Sequence, residues 1–348
     1  MKNYLIGLFC IVCCCFSSQI FAQEKEYQVA CVGFYNLENL FDTEDDPEKR
    51  DEDFTPKGKR VWTDDLYQEK LGNMAKVVSE LGTELTPDGI SILGVSEIEN
   101  RKVLEDLVAE EKLKNRDYQI VHFESPDKRG IDVGLLYQAK YYEVTNSKAI
   151  PLMIYDDKDE RIFTRDILLV SGNFQGEPLH ILVNHWPSRR GGEKASAPLR
   201  NAGADRCKLV IDSLRQIDAN AKIMLMGDLN DDPVSPSVKK HLAAKSDMKK
   251  LKKGDLFNPM YKYYKKGIGT LAYRDAWSLF DQIIMTESLT NKKQTGFQYY
   301  RTDIYNKKYL VQKTGRYKGY PYRTFSGDTY QGGYSDHYPV FVYLIKEK

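Results

Sequence analysis

Hydrophobic positions along this chain recur in two rhythms. Runs of four to nine residues rich in β-branched and aromatic side chains, at 27–35, 90–95, 118–123, 131–137, 166–174, 179–184, 223–226, 279–285 and 338–345, read as strands. The run at 90–95 is nearly continuous in its apolar character, so burial on both faces is expected. A hairpin is expected where Gln175, Gly176, Glu177 and Pro178 separate two of the runs. Three segments keep helical spacing instead: 63–81, 102–112 and 197–217. The first opens with Thr63, Asp64 and Asp65, carries its apolar stripe on Tyr67, Leu71, Met74, Val78 and Leu81, and stops at Gly82. Between 297 and 334 the rhythm fades into Tyr, Gly, Lys and Arg, and long loops near a site are expected there.

Strands with a few helices, no Pro, Gly or Ser linker and no internal repeat make an α/β chain whose residues 23–348 read as one domain. Residues 1–22 read as an export signal: Lys2 gives a positive start, 5–16 is apolar but shorter than a membrane span, and Ala22 precedes Gln23. A periplasmic or extracellular location is expected, without stable membrane insertion.

Charge changes this picture little. The chain carries 51 basic and 50 acidic side chains, and loss of Lys2 with the signal makes it formally neutral. Neutrality argues against holding nucleic acid by gross charge, while leaving room for a locally basic groove. Eight carboxylates in 42–53 and seven lysines in 239–253 read as solvated surface. Cys31 and Cys207, the cysteines beyond the signal, lie in apolar segments and read as buried thiols, with a pair between them as the alternative.

The candidate chemistry collects where strands end. Asn36 and Glu38, Glu97, Asn184 and His185, Asp228 and Asn230, Asp281, and Asp336 and His337 all border or interrupt apolar runs. Such a pattern is expected when strand ends converge on one cleft. Its centre is 221–233, AKIMLMGDLNDDP, where a strand breaks at Gly227 and delivers Asp228 and Asn230, two apart and so on one side of an extended backbone. An ordinary turn uses the same residue types. Glu38, Glu97, Asp228 and Asp336 are hard oxygen donors, which favours Mg2+, or Mn2+ or Ca2+, over zinc. Carboxylates crowded in one cleft raise one another's pKa unless a cation joins them. Asp281 is suited to orient His337, whereas His122, His180 and His241 read as structural. The loop Arg189, Arg190, Gly191, Gly192 could bind a second phosphate or a charged head group through Arg189.

Six motifs in order, FYNLENLFD (34–42), LGVSEIEN (93–100), LVNHWPS (182–188), GDLNDDP (227–233), FDQII (280–284) and YSDHYPV (334–340), resemble the endonuclease/exonuclease/phosphatase superfamily, the deoxyribonuclease-I-like metal-dependent phosphoesterases. The resemblance covers nearly all of the chain after the signal. It implies a four-layered α-β-β-α sandwich of two mostly antiparallel, mixed sheets. It also implies Glu97 as principal metal ligand, with Asn36, Glu38 and Asp336 completing the metal side directly or through water. Asp228 would orient or deprotonate the attacking water, and Asn230 would hold a phosphate oxygen. His337, oriented by Asp281, would neutralise the phosphate or act as the base. His185 stands where the family carries His or Tyr, and Asn184 and Arg189 join the expected phosphate contacts. Glu38 departs from the Asp of many nucleases by a methylene, and the residues after His185 depart from the abasic-site nuclease pattern. The expected activity is that of a secreted phosphodiesterase, a nuclease on extracellular DNA or RNA acting as a monomer, with no protein partner inferable. The alternatives are the same chemistry on an inositol phosphate, a sugar phosphate or a sphingomyelin-like head group, and a non-catalytic binding module.

Overall fold

The computed structural model describes residues 26–156, 158–291 and 295–348; the expected export signal lies outside them. Its long strands, in chain order, are β1 (Tyr27–Leu40), β2 (Ile92–Ile98), β3 (Tyr118–His122), β4 (Asp132–Gln138), β5 (Tyr142–Ile150), β6 (Ile167–Phe174), β7 (Glu177–His185), β8 (Ile223–Asp228), β9 (Asp281–Thr286), β10 (Gln298–Ile304) and β11 (Val340–Glu347). One sheet has the order β10-β11-β1-β2-β4-β3. The other runs from the short strands Ala244–Lys245 and Leu256–Phe257 through β9-β8-β7-β6-β5. β1 with β2, and β7 with β8, are parallel, and the remaining long-strand pairs are antiparallel.

Three apolar layers bind four structural ones. Helices α1 (Asp64–Glu80) and α2 (Arg101–Ala109) cover the first sheet, with Leu71, Met74, Val78, Leu104 and Leu107 packed on Leu93 and Val95. Val32, Phe34, Ile92, Ile181, Val183, Met224, Met226, Ile283 and Val342 fill the space between the sheets. Helix α3 (Glu193–Ile217) covers the second sheet through Cys207 and Ile211 on Leu182, Leu225 and Ile284. This is the α-β-β-α sandwich that the motifs imply. Cys31 and Cys207 are free thiols in different layers, so the alternative of a pair between them is excluded. Among the described residues no helix is long and apolar enough to cross a membrane.

Two strands lie where the sequence pattern suggests none. β5 and β10 are sheet edges with polar, partly exposed positions, and an edge strand buries too little to need an apolar rhythm. β10 thus takes part of the stretch expected as loops. The expected hairpin is tighter, with Gln175 and Gly176 at φ 49° and 83° as a two-residue turn whose positive φ values suit the twist of its strands.

Candidate active site

Alternation along the strands builds most of the site. Val32 and Phe34 of β1 face the second sheet, so Asn36 continues on that side. By the same count Ile181 and Val183 lead to His185, Met224 and Met226 lead to Asp228, and Met285 and Ile283 lead back to Asp281. Strand direction brings these ends together. Asp228 stands in register with both His185 and Asp281, and Phe34 of β1 with Val340 of β11.

Glu97 arrives by a bulge. Between the pairs Asn36–Ser96 and Leu40–Ile98 the register of β1 and β2 shifts, so residues 37–39 stand against Glu97 alone. Glu38, Asn39 and Glu97 take φ of 47°, 52° and 57°, a conformation that costs a non-glycine residue roughly 1–3 kcal/mol and gathers at functional sites. The Asn39 N–H donates to Glu97 Oε2 at 3.0 Å. Gly227 solves a different problem: a Cβ there would lie 2.1 Å from the Asn184 carbonyl oxygen, so only glycine lets β7 and β8 approach just before Asp228. Asn230 is brought back by a turn (φ 49°) rather than by extended backbone. Its N–H donates to Asp228 Oδ1 (2.9 Å) and its Nδ2 to the Trp186 carbonyl (2.9 Å).

The polar groups converge on Asp228. Asn36 Nδ2 donates to Asp228 Oδ2 (3.1 Å) and Glu97 Oε1 (3.2 Å). Nε2 of His185 lies 3.7 Å, and Nε2 of His337 3.8 Å, from Asp228 Oδ2. On the far side of its ring, His337 Nδ1 donates to Asp281 Oδ2 at 2.7 Å. Burial opposes charge on His337, yet attraction and the hydrogen bond from Asp281, helped by Asp228 and Asp336, hold its pKa well above the ordinary imidazole value. Burial, with the cations Arg165, Arg129 and His337, holds His185 well below that value, so its ring is neutral. Burial pushes the Asp228 carboxyl up to about 7; His337 pulls it down while Asp281 and Glu97 add to the rise.

Glu97, His185 and Asp228 each offer a donor atom within 4.8 Å of the others. Two carboxylates beside a neutral imidazole suit a divalent cation, and a cation relieves the crowding that lifts Asp228. These residues therefore fit the metal that the motifs imply.

The other expected metal and phosphate residues are arranged differently. Asn36 orients carboxylates through its amide N–H, and its Oδ1 accepts from the Glu38 N–H (2.9 Å). The Glu38 carboxylate turns away from Glu97 to accept from the N–H groups of Thr324 (2.6 Å) and Phe325 (3.3 Å); its positive φ takes it out of the alternation that carries Asn36. Asp336 is paired with Arg323 (2.6 Å). Asn184 corrects the sequence reading: as the neighbour of His185 it faces the opposite side, under α3, where it accepts from Trp186 Nε1 (3.1 Å) and Cys207 Sγ (3.0 Å). Arg189 is likewise committed elsewhere. It donates to the Asn230 carbonyl (2.9 Å), pairs with Asp231, Asp232 and Glu193, and lies over the Phe280 ring, so it closes the loop rather than presenting a free cation.

Supporting residues escaped the sequence reading. Buried Arg165 donates to the carbonyls of His185 (3.1 Å) and Trp186 (2.7 Å) and to Asp127 (2.9 Å), fixing the turn that carries His185. Ser335 Oγ donates to the Asn36 carbonyl (2.7 Å) and accepts from the His337 N–H (3.1 Å), which ties two strand ends together. Buried Lys70 donates to the Glu38 carbonyl (2.8 Å) and to Thr324 Oγ1 (2.6 Å). Lys70 had a signal, a charge three residues from Tyr67 and four from Met74 on the apolar stripe of α1. Arg165 had none.

Solved structures share this architecture. D. rerio TDP2 humanised by 14 mutations matches at TM-score 0.53 and 12% identity, covering 91% of this chain and 98% of that chain. D. rerio TDP2 complexed with a single-strand DNA product gives the same values. The endonuclease/exonuclease/phosphatase from Bacteroides vulgatus matches at 0.53 and 15%, covering 92% and 100%. At these identities the likeness is one of fold, the deoxyribonuclease-I-like sandwich. A search of curated proteins gave no match. The sequence itself matches the Endonuclease/Exonuclease/phosphatase family from residue 31 to residue 346, and across that span the chain belongs to this family.

Proposed function

We propose that this chain is an exported, divalent-metal-dependent phosphodiesterase that hydrolyses nucleic acid. The observation that carries the reading is the alignment of Asp281, His337 and Asp228, with Nδ1–Oδ2 at 2.7 Å on one side of the ring and Nε2–Oδ2 at 3.8 Å on the other, next to Glu97. Glu97 and Asp228 would hold Mg2+, or Mn2+ or Ca2+ in its place, and a bound ion supplies positive charge to the phosphate oxygens. Asp281 holds the ring so that the Nε2–H of His337 meets a non-bridging oxygen and offsets its growing charge. Asp228 aligns the attacking water and takes its proton. Asn230, with one amide hydrogen on Trp186, offers the second to the phosphate, and His185 lies at hand for the leaving oxygen. Residues 1–22 support export.

With Mg2+, purified protein is expected to cleave bis(p-nitrophenyl) phosphate and to shorten DNA or RNA. Hydrolysis of a sugar phosphate, an inositol phosphate or a lipid head group with nucleic acid left intact would overturn the nuclease reading. Failure on every phosphoester would overturn the catalytic one.

A further inference from the structure

A ladder of aromatic rings climbs outward from His337. Tyr338, the next residue, is buried, and its ring lies 6.0 Å from that of Trp277 and 16° from parallel. Trp277 meets Tyr320 at 6.4 Å, and Tyr320 meets Tyr317 at 5.7 Å. Exposure rises from Tyr338, 4% exposed, to Trp277, 40%, with Tyr320 and Tyr317 half-buried beyond it, and Tyr273, on the same small hairpin as Trp277 (Leu271–Tyr273 and Ala276–Ser278), is 67% exposed. The hairpin is anchored to the site. Thr270 accepts from the Tyr338 N–H through its carbonyl (2.8 Å) and from the Asp281 N–H through its hydroxyl (3.4 Å), and the Tyr320 hydroxyl donates to Asp275 (2.6 Å).

Cations border the rings. Residues 311–325 contain Lys313, Arg316, Lys318 and Arg323 and no acid, and Lys313, Arg316 and Lys318 are exposed. Arg316 lies 5.7 Å from the Tyr317 ring, and Arg274 5.2 Å from that of Tyr273. An exposed ring offers a face to any base, and neighbouring cations follow the phosphates of a flexible strand. Bases of a duplex are already stacked on one another and have no free face to give. A head group or sugar phosphate has no aromatic ring to stack on these side chains.

We infer that Trp277 and Tyr320, fixed to His337 through Tyr338, form a base-stacking platform that selects single-stranded nucleic acid, with the flanking phosphates running past Lys313, Arg316 and Lys318. This rests on the phosphodiesterase reading above, and it names the substrate class of that site.

Trp62 and Trp186 are buried, which leaves Trp277 as the tryptophan, of three in the chain, that a dissolved ligand can reach. In EDTA, single-stranded DNA or RNA oligonucleotides are expected to quench tryptophan fluorescence in the wild type and not in Trp277→Ala. With Mg2+, the wild type is expected to prefer a base-bearing single strand to a base-free deoxyribose phosphate strand by about 10-fold in KM, a preference that Trp277→Ala loses and Trp277→Phe keeps. If Trp277→Ala fails to fold, Arg316→Ala with Lys318→Ala must still weaken single-strand binding and flatten its salt dependence. Equal turnover of base-bearing and base-free strands, or a duplex cleaved as well as a single strand, would overturn the platform and leave the phosphodiesterase standing. A wild type that hydrolyses no phosphoester, yet is quenched by single strands in EDTA, would sink the phosphodiesterase reading instead.

Discussion

Two buried histidine–aspartate pairs sit at strand ends in this molecule, and their surroundings set them apart. His122 of β3 meets Asp132 of β4 at 3.0 Å, and His337 meets Asp281 at 2.7 Å. Asp132 gives its second oxygen to the N–H and hydroxyl of Ser125, which closes the turn between the two strands. Asp281 has a second oxygen that is buried without a partner, and its histidine presents Nε2 to a further carboxylate, Asp228. Each pair belongs to a trio of possible metal-binding groups, so neither the pair nor the trio distinguishes a site from a brace. The difference lies in whether the imidazole has a second nitrogen aimed at another functional group across a cleft.

The contrast can be broken most decisively by removing metal. Excess EDTA is expected to reduce phosphodiester hydrolysis to background; activity that survives chelation contradicts the assignment of Glu97 and Asp228. Next in size, His337→Ala is expected to lower kcat by about 10²–10⁴-fold, whereas His122→Ala leaves kcat of the folded protein near the wild-type value. Matching losses in the two variants, with matching circular dichroism, would erase the distinction. Asp281→Asn keeps the shape but removes the charge that favours a protonated ring, and a loss of about 10–100-fold is expected, the usual cost of an orienting partner. The smallest effect sharpens the other half: Asp132→Asn should cost roughly 1–3 kcal/mol in denaturant unfolding, because Ser125 and His122 lose a charged acceptor, while kcat stays put. A fall in kcat comparable to that of Asp281→Asn would move the His122 pair into the catalytic class.

Much of the site was legible through alternation. Asn36, His185, Asp228 and Asp281 each fall an even number of residues from inter-sheet core positions, so burial of the strand dictates where the polar side chain points. The same rule places Asn184 on the α3 face, and its family-like position beside His185 obscured that. Glu38 and Asn230 lay beyond the rule because their backbone turns to positive φ. Arg189 looked like an available cation because Asp231, Asp232 and Glu193 are acids of its own neighbourhood whose distances no spacing reveals. Edge strands β5 and β10 hid for an energetic reason, since polar edge positions cost nothing that composition records.

By itself the sequence determined the identity of the long buried strands and the GDLNDDP turn as the expected centre of the chemistry, while the layer count came through the resemblance of its motifs. Periodic burial is a local code that a strand inside a sheet has to satisfy, and that the edge strands β5 and β10 escape. The motifs imply the pairing of Asp281 with His337, and tertiary structure decided the distances at which it and the other polar groups meet. The 2.7 Å contact of His337 with Asp281 and the convergence on Asp228 join segments far apart in the chain, and partner choice there depends on strand order, on the bulge at Glu97 and on the missing Cβ at Gly227, none of which has a signature in spacing. At GDLNDDP the local rule delivers Asp228 to the cleft, and the fold surrounds it with two histidines, an amide and a second carboxylate.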